Sequence, residues 1–303
     1  MEAVSVMSKN KSIGIFLVLT GAILWGLSGT VAQYLFQVKG LSPGWLITIR
    51  LTTSGLLLLL ISALKYKRSF LNIWKSKSDR FPLLLFALFG MLTVQYTYFV
   101  AIEASNAATA TFLQYLAPAL IAIYYVIVNR KLPVGKEQLA LIFAIVGTFL
   151  LVTKGTLESL SITKAALFWG ITSAFALAFY TIQPRNLLKK WDSITITGWG
   201  MLIGGLAISF IHPPWEFQGS LSVGSLFFIL FVIVFGTLIP FYCYMESLNY
   251  ISPSETSMLA SIEPLTAAIV SVAWLKTSFV VMEWLGAAFI VATIILLSNH
   301  KQE

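Results

Sequence analysis

The stretch SIEPLTAA, from Ser261 to Ala268, places a carboxylate and a proline inside an apolar run that extends from about Met258 to Trp274. A charged side chain in hydrocarbon costs about 2.5–3.5 kcal/mol even on lenient insertion scales. Proline removes a backbone donor and clashes with the preceding turn. A helix that serves only as scaffold gains nothing from either. The chemistry open to Glu263 is to carry a proton, to hold a cationic group, or to neutralise Arg50. The carbonyl that Pro264 frees could bind a solute or relax a hinge. Thr256, Ala260, Glu263 and Ala267 share one helical face, with Ser257, Ser261 and Pro264 beside it, so the face is small and polar.

A second polar face lies in ATATFLQYLAP, Ala108 to Pro118, where Thr111, Gln114, Tyr115 and Pro118 fall on one side of a helix. Gln114 and Tyr115 need partners in hydrocarbon, either a bound solute or a neighbouring helix. Tyr96 and Tyr98, and likewise Tyr242 and Tyr244, stand two residues apart, about 200° around a helix, so only one of each pair can face a common cavity. The alternative for the other tyrosine is interfacial anchoring. Trp25 with Ser28, and Trp169 with Ser173, sit among glycines and could line a cavity or pack against those glycines. Gln33, Gln95 and Gln183 are further polar side chains of this kind. Arg50, the one basic residue within a span, lies about seven residues, roughly 10 Å, from one end. It could snorkel, hold a carboxylate or pair with an acid, and structural pairing is the expectation.

These residues must be positioned by membrane helices. The chain is 58% hydrophobic and only 11% charged, with mean hydropathy +0.86, against about 25% charged residues in soluble domains. Its net charge of +8 fits loops rich in Lys and Arg better than nucleic-acid binding. A single cysteine, Cys243, excludes an intramolecular disulfide, and His212 and His300 lie outside the apolar runs, which argues against a metal site. The sequence has no phosphate-binding glycine loop and no nucleophile paired with a base, so neither ATP drive nor enzyme activity is expected, and no cofactor.

Apolar runs at 13–36, 43–64, 82–101, 107–128, 137–153, 165–184, 195–211, 223–245, 255–275 and 281–298 predict ten spans. In that threading every Lys and Arg except Lys39, Arg50, Lys154, Lys164 and Lys276 falls on the side of the two termini, which predicts cytoplasmic tails at 1–12 and 299–303. The chain also repeats. FGMLTVQYTY at Phe89 aligns with FGTLIPFYCY at Phe235, an offset of 146 residues that also pairs Pro118 with Pro264 and Glu137 with Glu283. Each repeat, 13–153 and 165–298, holds five spans. Five is odd, so the second copy enters the membrane from the opposite side. The fold class expected is an all-α polytopic membrane protein, ten transmembrane helices in two inverted five-helix repeats.

Leu24-Trp25-Gly26 in the first span, ATATFLQYLAP in the fourth and SETSMLASIEP in the ninth together resemble the EamA-type transporters of the drug/metabolite transporter superfamily. That resemblance covers nearly the whole chain. It implies a secondary transporter exporting a small amphipathic metabolite such as an amino acid or amine, coupled to a proton or other ion gradient. Its cavity would be walled by the first, third, fourth, sixth, eighth and ninth spans. Membrane lipid is the other expected partner, and oligomeric state is left open. An importer of the same fold, or a lipid scramblase or membrane scaffold, are the alternatives, and a scaffold would need no polar midplane faces.

Overall fold

The computed structural model describes residues 2–130, 135–156, 162–251, 256 and 259–298. Among the described residues every regular element is helical. Six stretches are long and apolar enough to cross a membrane: Lys11–Gln37, Pro43–Lys65, Lys77–Ala104, Ala107–Val128, Lys164–Leu188 and Val223–Ser247. Four shorter apolar helices accompany them, at Gln138–Thr153, Ser193–Ser209, Ile262–Leu275 and Val281–Thr293.

In chain order the helices are α1 (Glu2–Gln37), α2 (Pro43–Tyr66), α3 (Lys77–Leu85), α4 (Thr93–Ala104), α5 (Ala107–Gln114), α6 (Ala117–Asn129) and α7 (Gly135–Thr153). They continue with α8 (Lys164–Ile182), α9 (Arg185–Leu188), α10 (Ser193–Ser209), α11 (Val223–Ile233), α12 (Ile239–Ser247), α13 (Ile262–Leu275) and α14 (Val281–Ser298). Side-chain caps define several starts. Asn106 accepts from the Thr109 N–H at 2.8 Å, Thr163 from Ala166 at 3.0 Å, Asp192 from Thr195 at 2.8 Å and Ser222 from Ser225 at 3.1 Å. Each satisfies one of the donors that a helix start leaves free.

Two irregularities recur at matching places. The helices α3 and α4 join through a π-helical segment, Phe86–Leu92, and α11 and α12 through another, Val234–Leu238. Each contains a Phe-Gly pair of the sequence repeat. The wider turn shifts the hydrogen-bond ladder, and a threonine hydroxyl takes up a carbonyl five residues back. Thr93 donates to Leu88 O and Thr237 to Val232 O, both at 2.8 Å. The second irregularity is a break at Tyr115–Leu116, between α5 and α6, and another at Ser261, where α13 begins. Pro118 and Pro264 follow these breaks, each in the first turn of the next helix, where a missing N–H leaves no helical bond unmade.

Packing joins the two halves of the chain. The helices α2 and α10 run antiparallel, with Thr48 against His212, Gly55 against Leu202 and Ser62 against Thr195. The pair α7 and α14 is antiparallel too, from Ala140–Thr293 through Gly147–Gly286 to Gly155–Met282. Against α12, α1 runs antiparallel, and against α13 it runs parallel. A Cβ at Gly26 would lie 2.7 Å from the Glu263 carbonyl oxygen, so this glycine lets α1 reach the backbone that carries the acid. At one end of the bundle Asp79 ties α3 to the segment after α9, accepting from Lys190 at 2.8 Å and from the Trp191 indole at 3.1 Å.

Candidate functional site

A cavity of about 70 Å³ lies where α1, α2, α4, α5, α6, α8, α12 and α13 converge. The helix break after Gln114 turns Tyr115 and Pro118 toward it, and the break at Ser261 places Glu263 in the first turn of α13 on its wall. Glu263 is 5% exposed. The Tyr115 hydroxyl oxygen lies 2.8 Å from Glu263 Oε2 and 2.7 Å from the Ala260 carbonyl. Ala260 is four residues before Pro264, so its carbonyl has no helical N–H at i+4. The tyrosine hydroxyl stands in for that donor.

Arg50 comes from α2 and is 2% exposed. Its Nη2 donates to Gln95 Oε1, and its guanidinium carbon sits 4.1 Å over the Phe99 ring. The sequence favours a structural pairing with an acid; the structure gives Arg50 an amide oxygen and an aromatic face instead. Among the described residues no acid comes within 4 Å of Arg50, and the ion pairs there are Lys154–Glu283 and Lys190–Asp79. Glu263 and Arg50 line the same cavity without forming a salt bridge.

The remaining candidates separate clearly. Trp25, Ser28, Gln95, Tyr98, Gln114 and Tyr244 join Arg50, Tyr115, Pro118 and Glu263 on the wall. Trp25 meets Phe241 edge-on, with ring centroids 4.8 Å apart. Tyr98 lines the cavity while Tyr96 packs on Trp169 and His212, and Tyr244 lines it while Tyr242 does not. Thr111 stands behind Tyr98. Its hydroxyl lies 2.6 Å from Ala107 O, which can only accept, so the Tyr98 hydroxyl donates to Thr111 across 2.7 Å. Trp169 and Ser173 lie off the wall: Trp169 meets Tyr96 and Phe168 edge-on, and Ser173 donates to Gly170 O at 3.0 Å. Ser261 is buried at the helix break rather than on the wall, as is Pro264 in the turn that follows, and Ser257 lies outside the described residues. Gln33 and Gln183 bridge helix ends, accepting from the Ala107 N–H at 2.9 Å and donating to Pro82 O at 2.8 Å.

Sequence reasoning missed Tyr180, Phe99 and Phe241, all on the wall. Tyr180 is 1% exposed and stacks on Phe86. Its hydroxyl in mid-run was the available signal, of the same kind as Gln183. Several polar atoms of the wall are buried without a protein partner: Trp25 Nε1, Arg50 Nε, Gln95 Nε2 and the Tyr180 hydroxyl.

Comparison with known proteins places this geometry in a family. The model of the EamA-like transporter family matches the chain twice, over residues 12–153 and 164–299. An uncharacterized inner membrane transporter, YicL of Salmonella typhimurium, is 39% identical over 285 residues, covering 94% of this chain and 95% of the relative. The uncharacterized transporter YyaM of Bacillus subtilis is 23% identical, covering 87% of both chains. A solved crystal structure only 15% identical superposes with a TM-score of 0.63, over 94% of this chain and 96% of that one, and so shares its fold. This chain is a multi-pass membrane protein and belongs to the EamA-like transporter family.

Proposed function

We propose that this protein is a secondary active transporter that moves a small metabolite across the cytoplasmic membrane by alternating access, coupled to protons through Glu263. The observation that carries this reading is the hydrogen-bond arrangement at the break before α13. The Tyr115 hydroxyl has one proton and two neighbours that can accept it, Ala260 O and Glu263 Oε2. When Glu263 is ionised, it competes with the Ala260 carbonyl for that proton. When Glu263 is protonated, it donates to the tyrosine oxygen, and the tyrosine proton is free for the carbonyl. A proton on Glu263 thus completes the bonding of the helix break, and its loss opens it. An acid at a repeat-matched break beside a polar cavity is a means of linking protonation to helix movement, and a scaffold has no use for it.

Ten spans in two inverted repeats supply the movement. The family model matching two successive segments supports the duplication. The antiparallel pairing of α2 with α10 and of α7 with α14 supports inversion, since equivalent helices of two inverted copies run in opposite directions. The first helix of each half also clasps the other half alike: α1 packs on α12 and α13, and α8 on α4 and α5. Cytoplasmic termini follow from the distribution of Lys and Arg, and export follows from the family resemblance.

Reconstitution tests the reading. Proteoliposomes with an imposed pH gradient should accumulate solute with the wild type and not with Glu263→Gln. The glutamine amide can donate to Tyr115 as a protonated acid would, so the variant should fold and retain gradient-independent exchange. A correctly folded Glu263→Gln protein with wild-type gradient-driven transport would remove the proton role.

A further inference from the structure

The geometry points to a carboxylate-binding subsite formed by Arg50, Gln95 and Trp25, and therefore to a cargo that carries a carboxylate. The assignment deepens the transport reading and rests on it. A guanidinium keeps its charge in a protein. Arg50 is nearly completely buried, and the neighbours the structure gives it, the Gln95 carbonyl oxygen and the Phe99 ring, are uncharged. A buried charge without a counter-charge is costly, and breaking a buried ion pair by deleting one partner costs about 3–5 kcal/mol. Nothing in the packing of α2 requires that cost, because an apolar side chain would fill the same space.

Three N–H groups of residues on the cavity wall have no protein acceptor: Arg50 Nε and Gln95 Nε2, which adjoin one another, and Trp25 Nε1. Gln95 is oriented by giving its oxygen to Arg50, which leaves its amide nitrogen to donate elsewhere. The set is one full positive charge and several donors, with no acceptor. Its complement is an anion with at least two oxygen atoms, held by charge-assisted bonds. The charge inventory selects a monoanion. One arginine faces the cavity, Glu263 stands on the same wall, and a phosphate dianion would add two negative charges to a space that already holds an acid. Phe99, Phe241 and Val94 offer an apolar surface for the rest of a small organic acid. Glu263 offers a place for a donor on that molecule, an amine or a hydroxyl.

Thermal unfolding of the purified full-length protein tests the assignment, with alanine, lactate and benzoate set against alaninamide, lactamide and benzamide, and with ethylamine and inorganic phosphate as separate arms. A ligand that binds only the folded state raises the unfolding temperature. At least one acid should do so where its amide does not, and phosphate should not. Arg50→Gln should remain folded and bind that acid about tenfold or more weakly, the factor expected from losing a hydrogen bond to a charged group. Gln95→Glu gives Arg50 an internal carboxylate and should abolish acid binding while stabilising the fold, so the test stands even if Arg50→Gln does not fold. Acids that act no better than their amides, a response to phosphate equal to that of the acids, or unchanged acid binding in Gln95→Glu would each overturn the subsite. Counterflow in proteoliposomes separates the two readings. Transport of ethylamine unaffected by Gln95→Glu would leave the transporter standing without the subsite. Acid binding with no solute movement would leave the subsite and remove the transporter.

Discussion

At the Tyr115 hydroxyl, one proton decides between a carboxylate and a carbonyl. Tyr115→Phe removes the hydroxyl and keeps the ring, so Glu263 and the Ala260 carbonyl lose a shared partner. The variant should fold, since the ring packing is retained, and it should lose most gradient-driven transport while solute binding measured without a gradient stays within a few-fold of wild type. Equal loss of binding and transport would instead make Tyr115 a solute contact. The sequence exposed Glu263, Tyr115, Gln114 and Arg50 as polar groups inside apolar runs, and these do reach one cavity. It did not say which tyrosine of each pair would face inward. The reason is the π-helical segment before each pair, at 86–92 and 234–238. An inserted residue rotates everything after it by about 100° relative to a regular helix, so no face can be projected through it from spacing alone. Tyr98 and Tyr244 point into the cavity on that shifted register.

The π segments and the helix breaks are the devices that bring these residues together, and their stability is open to measurement. Thr237 is fully buried and gives its hydroxyl proton to Val232 O, a carbonyl beside the widened turn. Thr237→Val keeps the shape and deletes the donor. It should destabilise the protein by about 1–3 kcal/mol, the cost of leaving a buried polar group unsatisfied. Thr172 makes the same kind of bond to Phe168 O at 2.7 Å on an exposed face, and Thr172→Val should change stability little. Denaturant unfolding of the two variants side by side reads the difference. Equal effects would mean that the hydroxyl in the π segment has no special task. The sequence marks where these devices sit, through the matched Phe-Gly and proline positions. It does not reveal that Phe-Gly carries a π turn, because a Phe-Gly pair is equally compatible with a regular helix. Spacing also leaves open whether Trp169 and Ser173 line the cavity or pack away from it: α1 and α8 pack on matching helices, yet Trp25 lies on the wall and Trp169 against Tyr96.

That difference between the halves is what alternating access requires of the whole molecule. Two inverted copies in identical conformations would make the cavity equally open, or equally closed, at both faces. Trp25 lies on the wall and Trp169 packs on Tyr96; under the mechanism proposed above, exchange of the two halves' conformations would carry the cavity from one face to the other. The scheme depends on the membrane orientation of the ends of the bundle, and this can be tested without a substrate. Ser76, at the start of α3, is half-buried, and Gln218, in the segment before α11, is exposed. Ten spans with cytoplasmic termini put position 76 inside and position 218 outside. In a Cys243→Ser background, Gln218→Cys should react with an impermeant maleimide in intact cells, and Ser76→Cys should react only after permeabilisation or in inverted vesicles. Cys243 is buried, so its replacement removes background without exposing a surface. The opposite labelling pattern would invert the molecule in the membrane and turn the export reading around. Labelling of both positions from the same side would break the alternation of spans between them, and with it the odd count per repeat on which inversion depends.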